Sequence, residues 1–389
     1  MDTRLTNDNF KRFTYKRTDN FELIPLHELP PKYSALAQEL EVSKDCFAVL
    51  IPINNGYSIK VVNQAAYQFL KALHYEKYSV RKHWEAMAFD DLSYLLIEKV
   101  ISVHISRMEV TGAAVFQHLE SPTTLQHEKD SIELKAIRYA IALDILDARG
   151  LAERLYYFNR RPLNPALKER IDQYPKLSTY LELSDLNSLN SWIRVQEKKE
   201  PYWYAYAHLN YQKSYNIDKN YKIYINVPFE DFKSVLKQVV ANLPSVGVIK
   251  FKFTGRMENL LRPDKFVIYC KETEHFHRTI AQLVEAIPAT KPHEVPFTAK
   301  TPNALITWAT DPSADAMALQ MDRHKSWRVW VCQLIAKAVI DAKMEKIDHK
   351  FEYVLQRLNL QGLDHQTWTL HQNREDVERI NTLAHGVPH

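Results

Sequence analysis

Glycine is the residue this chain most lacks: seven occur in 389 residues, and none of them forms a Gly-x-Gly-x-x-Gly, Gly-x-x-x-x-Gly-Lys-Ser/Thr or Gly-x-Ser-x-Gly arrangement. Folds whose chemistry needs a glycine backbone close to phosphate, or a strained nucleophile turn, lose their support. These are the dinucleotide-binding, P-loop, kinase and α/β-hydrolase classes. With 46% apolar and 25% charged residues the chain can bury a large core, enough for two domains or one elaborate one. Its net charge of +4 is small for the length, so no nucleic-acid or membrane surface is implied globally. No apolar run reaches membrane-spanning length, and the N-terminal "MDTRLTNDNFKRF" lacks the apolar core of a secretory signal. Cys46, Cys270 and Cys332 lie far apart with no Cys-x-x-Cys pair, which indicates a reducing compartment, read here as the cytoplasm. The sixteen histidines offer no metal set, since His27 in "LHELP" has no His-Glu-x-x-His and His275 and His277 lack a neighbouring third ligand; surface scatter accounts for them.

Two halves are patterned differently. In residues 1–150, "CFAVLIPINNGYSIKVVN" reads as a hairpin over 46–62, turning at Asn54-Asn55-Gly56, where Asn-Gly suits a type I′ turn. Helix follows from "QAAYQFLKAL", and helical spacing is expected through Met87–Phe116 and Ile132–Phe158, until two prolines in "NRRPLNP" break it. Residues 151–389 alternate instead. In "PYWYAYAHLNY", Tyr202, Tyr204, Tyr206 and His208 share one strand face, opposite Trp203, Ala205, Ala207 and Leu209. The strand "YKIYINV", a helix with Phe232, Leu236, Val239 and Leu243 on one side, the strand "IKFKFTG", the strand "DKFVIYC" and the helix "TEHFHRTIAQLVEAI" complete a β-α-β-β-α run. The expected class is α+β, a sheet with helices packed on one face, preceded by a mostly helical part carrying a β-hairpin.

In "IKFKFTGR", Ile249, Phe251 and Phe253 point to one side while Lys250, Lys252 and Thr254 point to the other. A wet sheet face explains such lysines without any function. A second explanation comes from resemblance. From about Trp192 onward, "PYWYAYAHL", "YKIYINV", "FKFTG", "RPDKFVIYC", "VPFT", Asp311-Pro312, Arg323 and "FEYVLQRLNLQGLDHQTW" occur in an order that resembles the phosphothreonine-lyase-like proteins. That group comprises the HopA-type effectors of plant-pathogenic bacteria and the lyase components of some lanthipeptide synthetases.

The resemblance implies an antiparallel or mixed sheet flanked by helices over 151–389, and β-elimination of phosphate from phosphoserine or phosphothreonine, without a cofactor. Lys252 aligns with the base that takes the α-proton, which requires a lowered pKa because an ammonium has no lone pair. Lys222 and Lys250 would supply cationic surroundings, and Arg256, Arg262 and Arg323 are candidates to hold the phosphate bidentately. Where the enteric lyases carry a general-acid histidine this chain has Tyr224, so Tyr224 or else His208 is left to protonate the leaving group. Glycines expected near "KTPNALITWATDP" and "MALQMDR" are missing. Those departures keep a second expectation open, a non-catalytic effector or phosphopeptide-binding protein that would act after secretion into a host cell. On the lyase reading the partners are a phosphorylated precursor peptide, a separate Ser/Thr kinase and a possible cyclase, with neither nucleic acid nor membrane involved. The 46–62 hairpin with its helix loosely resembles modules that bind leader peptides, though a plain structural hairpin explains it as well.

Overall fold

A computed structural model describes residues 5–6, 9–40, 46–53, 59–74, 87–118, 131–174, 176–183, 192–195, 202–209, 221–243, 248, 250–312 and 326–382. The N-terminal part contains β1 (Thr14–Arg17), β2 (Phe21–Pro25), α1 (Ser34–Leu40), β3 (Ala48–Pro52), β4 (Lys60–Val62), α2 (Gln64–His74), α3 (Phe89–Ile97), β5 (Ile101–Ile105) and β6 (Met108–Val110). The expected hairpin is β3 paired with β4, Ala48 opposite Val62, while its Asn54-Asn55-Gly56 turn lies outside the described residues. The expectation of helix throughout 87–116 is corrected. After α3 the chain forms a second hairpin, β5 to β6, through a two-residue loop at Ser106-Arg107 whose φ angles are 49° and 75°. That is the geometry of a type I′ turn built without Asn or Gly, so its usual sequence signal is missing. Two three-stranded sheets, β2-β3-β4 and β1-β5-β6, result.

Next come α4 (Ile132–Ala142), α5 (Ala148–Tyr156), α6 (Pro165–Asp172) and α7 (Leu177–Leu181). Capping explains their starts. Ser131 accepts from the Leu134 N–H, Asp147 from Arg149 and Gly150, and Asn164 from Leu167 with Pro165 at the first helical position.

The C-terminal half forms a seven-stranded sheet from β7 (Trp192–Arg194), β8 (Trp203–His208), β9 (Tyr221–Ile225), β10 (Lys250–Thr254), β11 (Phe266–Cys270), β12 (Ala299–Lys300) and β13 (Ile306–Thr310). Its order is β12-β13-β9-β11-β10-β8-β7, and every described pairing is antiparallel. Interleaved are α8 (Phe232–Asn242) and α9 (Thr273–Ala286); α10 (Trp327–Met344), α11 (Lys350–Leu360), the short β14 (Leu363–Asp364) and β15 (Thr369–Leu370), and α12 (Arg374–Thr382) follow.

One sheet face is the largest core. Tyr204, Tyr206, Ile223, Phe251, Phe253, Phe266, Ile268 and Trp308 bury against Phe232, Leu236 and Val239 of α8 and Phe276 and Ile280 of α9. The expectation of helices on a single face is incomplete, because α10 covers part of the other. Twelve of its eighteen residues are buried, the signature of a helix enclosed on nearly all sides. Tyr224, Val267 and Ala309 pack beneath it, in a core shared with α4, α5 and α11. The helices near residue 150 therefore pack with the C-terminal half. The N-terminal sheets join it through a buried carboxylate, Glu98, which meets Lys60 at 2.5 Å, Arg357 at 2.5 Å and also Lys337. His277, expected at the surface, is buried and pairs with Asp376 at 2.9 Å. A polar side chain so enclosed needs a partner, and this one fastens α9 to α12.

Candidate active site

The second sheet face emerges from beneath α10 at β10 and β8, and there the lysines gather. Register places Lys252 beside Ala205 of β8 and Val267 of β11, and Val267 beside Tyr224 of β9. The adjacent row runs Ala207, Lys250, Tyr269, Lys222, Ala309. Lys222, Lys250 and Lys252 thus share one face. Their ammonium nitrogens lie 5.8, 5.5 and 5.6 Å from the ring centroid of Tyr269, and Lys252 also sits 4.6 Å from that of Trp203. Aromatic faces attract cations, so two rings gather charges that would otherwise repel. Small Ala205 and Ala207 leave space beside the two β10 lysines.

Electrostatics separates the three. Burial, and then the neighbouring ammonium of Lys222, push Lys252 down to about 8, despite the opposing carboxylate of Asp264. Burial lowers Lys222 too, but its 2.5 Å bond to Asp311 Oδ1 opposes this. The same oxygen accepts the Trp327 N–H at 2.8 Å, tying the strand lysine to the first turn of α10.

Beside Trp203 lies a second charged group. Arg262 binds Asp264 through two bonds of 3.0 Å, Arg328 reaches the same carboxylate at 2.8 Å, and the Tyr156 hydroxyl donates to it at 2.9 Å. Burial alone would raise the Asp264 carboxyl, but Arg328 and Arg262 hold it far below the ordinary carboxylate range. A third Arg262 nitrogen donates to the Tyr202 hydroxyl, and its guanidinium carbon is 5.3 Å from the Trp203 centroid. Arg262 is thus placed at the edge of the lysine face, largely engaged by Asp264.

The other sequence candidates fare differently. His208 stands on the opposite face: its row partner is Trp192, whose ring lies 5.3 Å away and packs onto Phe251 in the main core. It cannot reach a group beside Lys252, because alternation points the two to opposite sides of one sheet. Tyr224 shares the lysine face but lies under α10, 4% exposed, and burial raises its phenol well above 10. Arg256 is exposed and lines a cleft with Tyr174, Lys176 and Tyr204, away from the lysines. Arg323 lies outside the described residues. Sequence reasoning missed Tyr269, Asp264, Arg328 and Asp311 as site elements. Alternation in "KFVIYC" sets Tyr269 on the side of Val267, and Asp264 and Asp311 stand within the stretches "RPDKFVIYC" and Asp311-Pro312 that carry the resemblance, though nothing local assigned them a role; Arg328 had no such signal.

This geometry coincides with a family match. Residues 200–370 match the HopA1 effector protein family. The segment contains all three lysines, Tyr269 and the Arg262–Asp264–Arg328 group, and the resemblance read from the sequence is borne out over it. Similar solved structures include the effector protein from Pseudomonas syringae pv. tomato strain DC3000, at 14% identity over 61% of this chain and 94% of that one, TM-score 0.39. The effector from Pseudomonas syringae pv. syringae strain 61 gives 16% identity over 61% and 94%, TM-score 0.37. The type III effector/phosphothreonine lyase OspF from Shigella flexneri gives 17% over 37% and 87%, TM-score 0.27. No curated protein matches significantly. No described helix is long and apolar enough to cross a membrane.

Proposed function

We propose that the lysine face eliminates phosphate from phosphoserine or phosphothreonine in a peptide. The observation that carries this reading is Lys252, a lysine brought to about 8 at the centre of a cationic, aromatic-lined face. Its neutral amine takes the Cα proton; that electron pair becomes the Cα=Cβ bond, the Cβ–O bond breaks, and phosphate leaves with the bonding pair. Lys250 meets the developing phosphate charge, with the Asp311-paired Lys222 behind it and Arg262 at the border. Burial makes the Tyr224 phenol a poor proton donor, so the leaving group depends on these ammonium groups for neutralisation.

The phosphate has to be installed by a separate Ser/Thr kinase, since the sequence carries no nucleotide-binding motif. A lanthipeptide-type precursor in the bacterial cytoplasm, followed by a cyclase, is the substrate setting we favour within this reading.

One observation favours a second reading. With Tyr224 buried where relatives resembled by the sequence carry a histidine, the face would bind phosphopeptides without turning them over. Mass spectrometry of phosphoserine and phosphothreonine peptides incubated with the protein and with Lys252→Ala separates the two. Loss of phosphoric acid to a thiol-reactive alkene, absent in the variant, supports elimination. Binding without product, on a cognate phosphorylated precursor as well, overturns it in favour of the second reading.

A further inference from the structure

We infer that the cleft at the C-terminal end of α5 binds acidic residues that flank the phosphorylated residue of a peptide substrate, a proposal that rests on the lysine-face reading above. The cleft encloses about 770 Å³ and is lined by Tyr139, Glu153, Arg154, Tyr157, Phe158 and Arg160, among others. It lies outside the segment that matches the effector family.

Three observations converge. First, Arg154 and Arg160 are exposed in the cleft, and among the described residues neither makes an ion pair; Arg160 makes a 3.4 Å bond to the Glu258 carbonyl. Arg161, next in sequence, contrasts with them in pairing with Glu230 at 2.6 Å. Two guanidiniums face one carboxylate, Glu153, leaving positive charge to be matched by a ligand. Second, aromatic rings form the walls, with Tyr139 and Phe158 at 5.3 Å centroid separation, giving an extended chain apolar surface to lie on. Third, a chain of side-chain contacts links the cleft to the lysine face. Lys252 is 4.6 Å from the Trp203 centroid, that ring is 5.3 Å from Arg262, and Arg262 is 5.3 Å from the ring of Tyr157, which lines the cleft. An extended peptide advances about 3.3 Å per residue, so three contacts of this size correspond to roughly four to five residues between phosphate and carboxylate. The C-terminal end of α5, which carries Tyr156 and Tyr157, thereby both orients Arg262 and selects what lies beside the reacting residue.

The test is a glutamate scan. Fluorescent phosphoserine peptides carrying one Glu at each position from five before to five after the phosphoserine, in a Ser/Ala background, are titrated against the protein and Arg154→Ser/Arg160→Ser. Both arginines are exposed, so the double variant is expected to fold. The expected result is a threefold to tenfold tighter Kd for Glu about four or five positions away on one side, a gain that weakens with salt and is lost in the double variant. A flat scan, or a gain that survives in the variant, overturns the proposal. Repeating the scan with unphosphorylated peptides separates the two readings. If phosphorylation adds nothing while the arginine-dependent gain persists, the cleft stands and the lysine-face reading fails.

Discussion

Lys222 and Asp311 meet at 2.5 Å with side chains 8% and 19% exposed, and the aspartate also accepts the first amide of α10. One carboxylate oxygen therefore neutralises a cation of the candidate site and anchors the helix that roofs half of it. Removing it leaves a buried ammonium uncompensated. Asp311→Asn is expected to cost about 3 kcal/mol, read as a lowered midpoint in urea unfolding. An unchanged midpoint would mean that Lys222 finds another partner.

Lys252 gives the pH dependence of the proposed reaction. Only the neutral amine accepts a proton, so kcat/KM should rise with pH through about 8 and level off above it. Lys252→Arg retains the charge but cannot deprotonate in this range, and should lose elimination at every pH while retaining phosphopeptide binding. Product formation followed by mass between pH 6 and 10 checks both.

The same lysine predicts a stability trade. Its pKa is depressed in the folded state, so the unfolded chain binds more protons between about 8 and the ordinary 10.5. Its destabilising contribution is full below about 8 and disappears as pH rises toward 10.5. Lys252→Met should therefore raise stability at pH 7 by about 1–2 kcal/mol while abolishing activity. Thermal melts at pH 7 and 10.5 test this: the gain should be present at the first and shrink at the second.

Glu98 tests how the halves of the chain are joined. Burial disfavours its charge, but Lys337, Lys60 and Arg357 outweigh that and hold its carboxyl well below the ordinary 4.5. Its contribution to stability is present above the normal glutamate range and is lost as acid approaches its low folded value. Glu98→Gln leaves the buried Lys60 ammonium without its carboxylate, while Arg357 keeps Asp341 and Lys337 is partly exposed, and is expected to cost about 3 kcal/mol in urea unfolding at pH 7.

His208→Ala checks the face assignment directly. The ring packs on Trp192, so a small loss of stability is expected, of about 1 kcal/mol, with no change in elimination rate. A rate falling by orders of magnitude would place this histidine at the chemistry and contradict the register of β8.

Local pattern carried most of the elements from Tyr221 to Ala286. Alternation set Lys250 and Lys252 on one side of β10 with Phe251 and Phe253 on the other, helical spacing picked the buried face of α8, and α9 was placed as a helix without its buried face. Where the turn residues were atypical, as at Ser106-Arg107, the strands beside it read as helix.

Alternation by itself determined that Tyr204, Tyr206 and His208 share a face; it did not say which neighbour's face they join. Only tertiary pairing decided that, by setting Tyr206 opposite Phe251 and Ala205 opposite Lys252. The sequence likewise named lysines and arginines as phosphate-binding types, but the placing of Arg328 and Asp264 against Arg262, the roofing of Tyr224 by α10 and the exclusion of Arg256 depended on segments distant in the chain. The physical reason is range. Periodicity follows from the geometry of one strand or helix, whereas burial and charge pairing depend on which elements pack together, and these fix both the pKa of Lys252 and the side of the sheet on which a substrate can reach it.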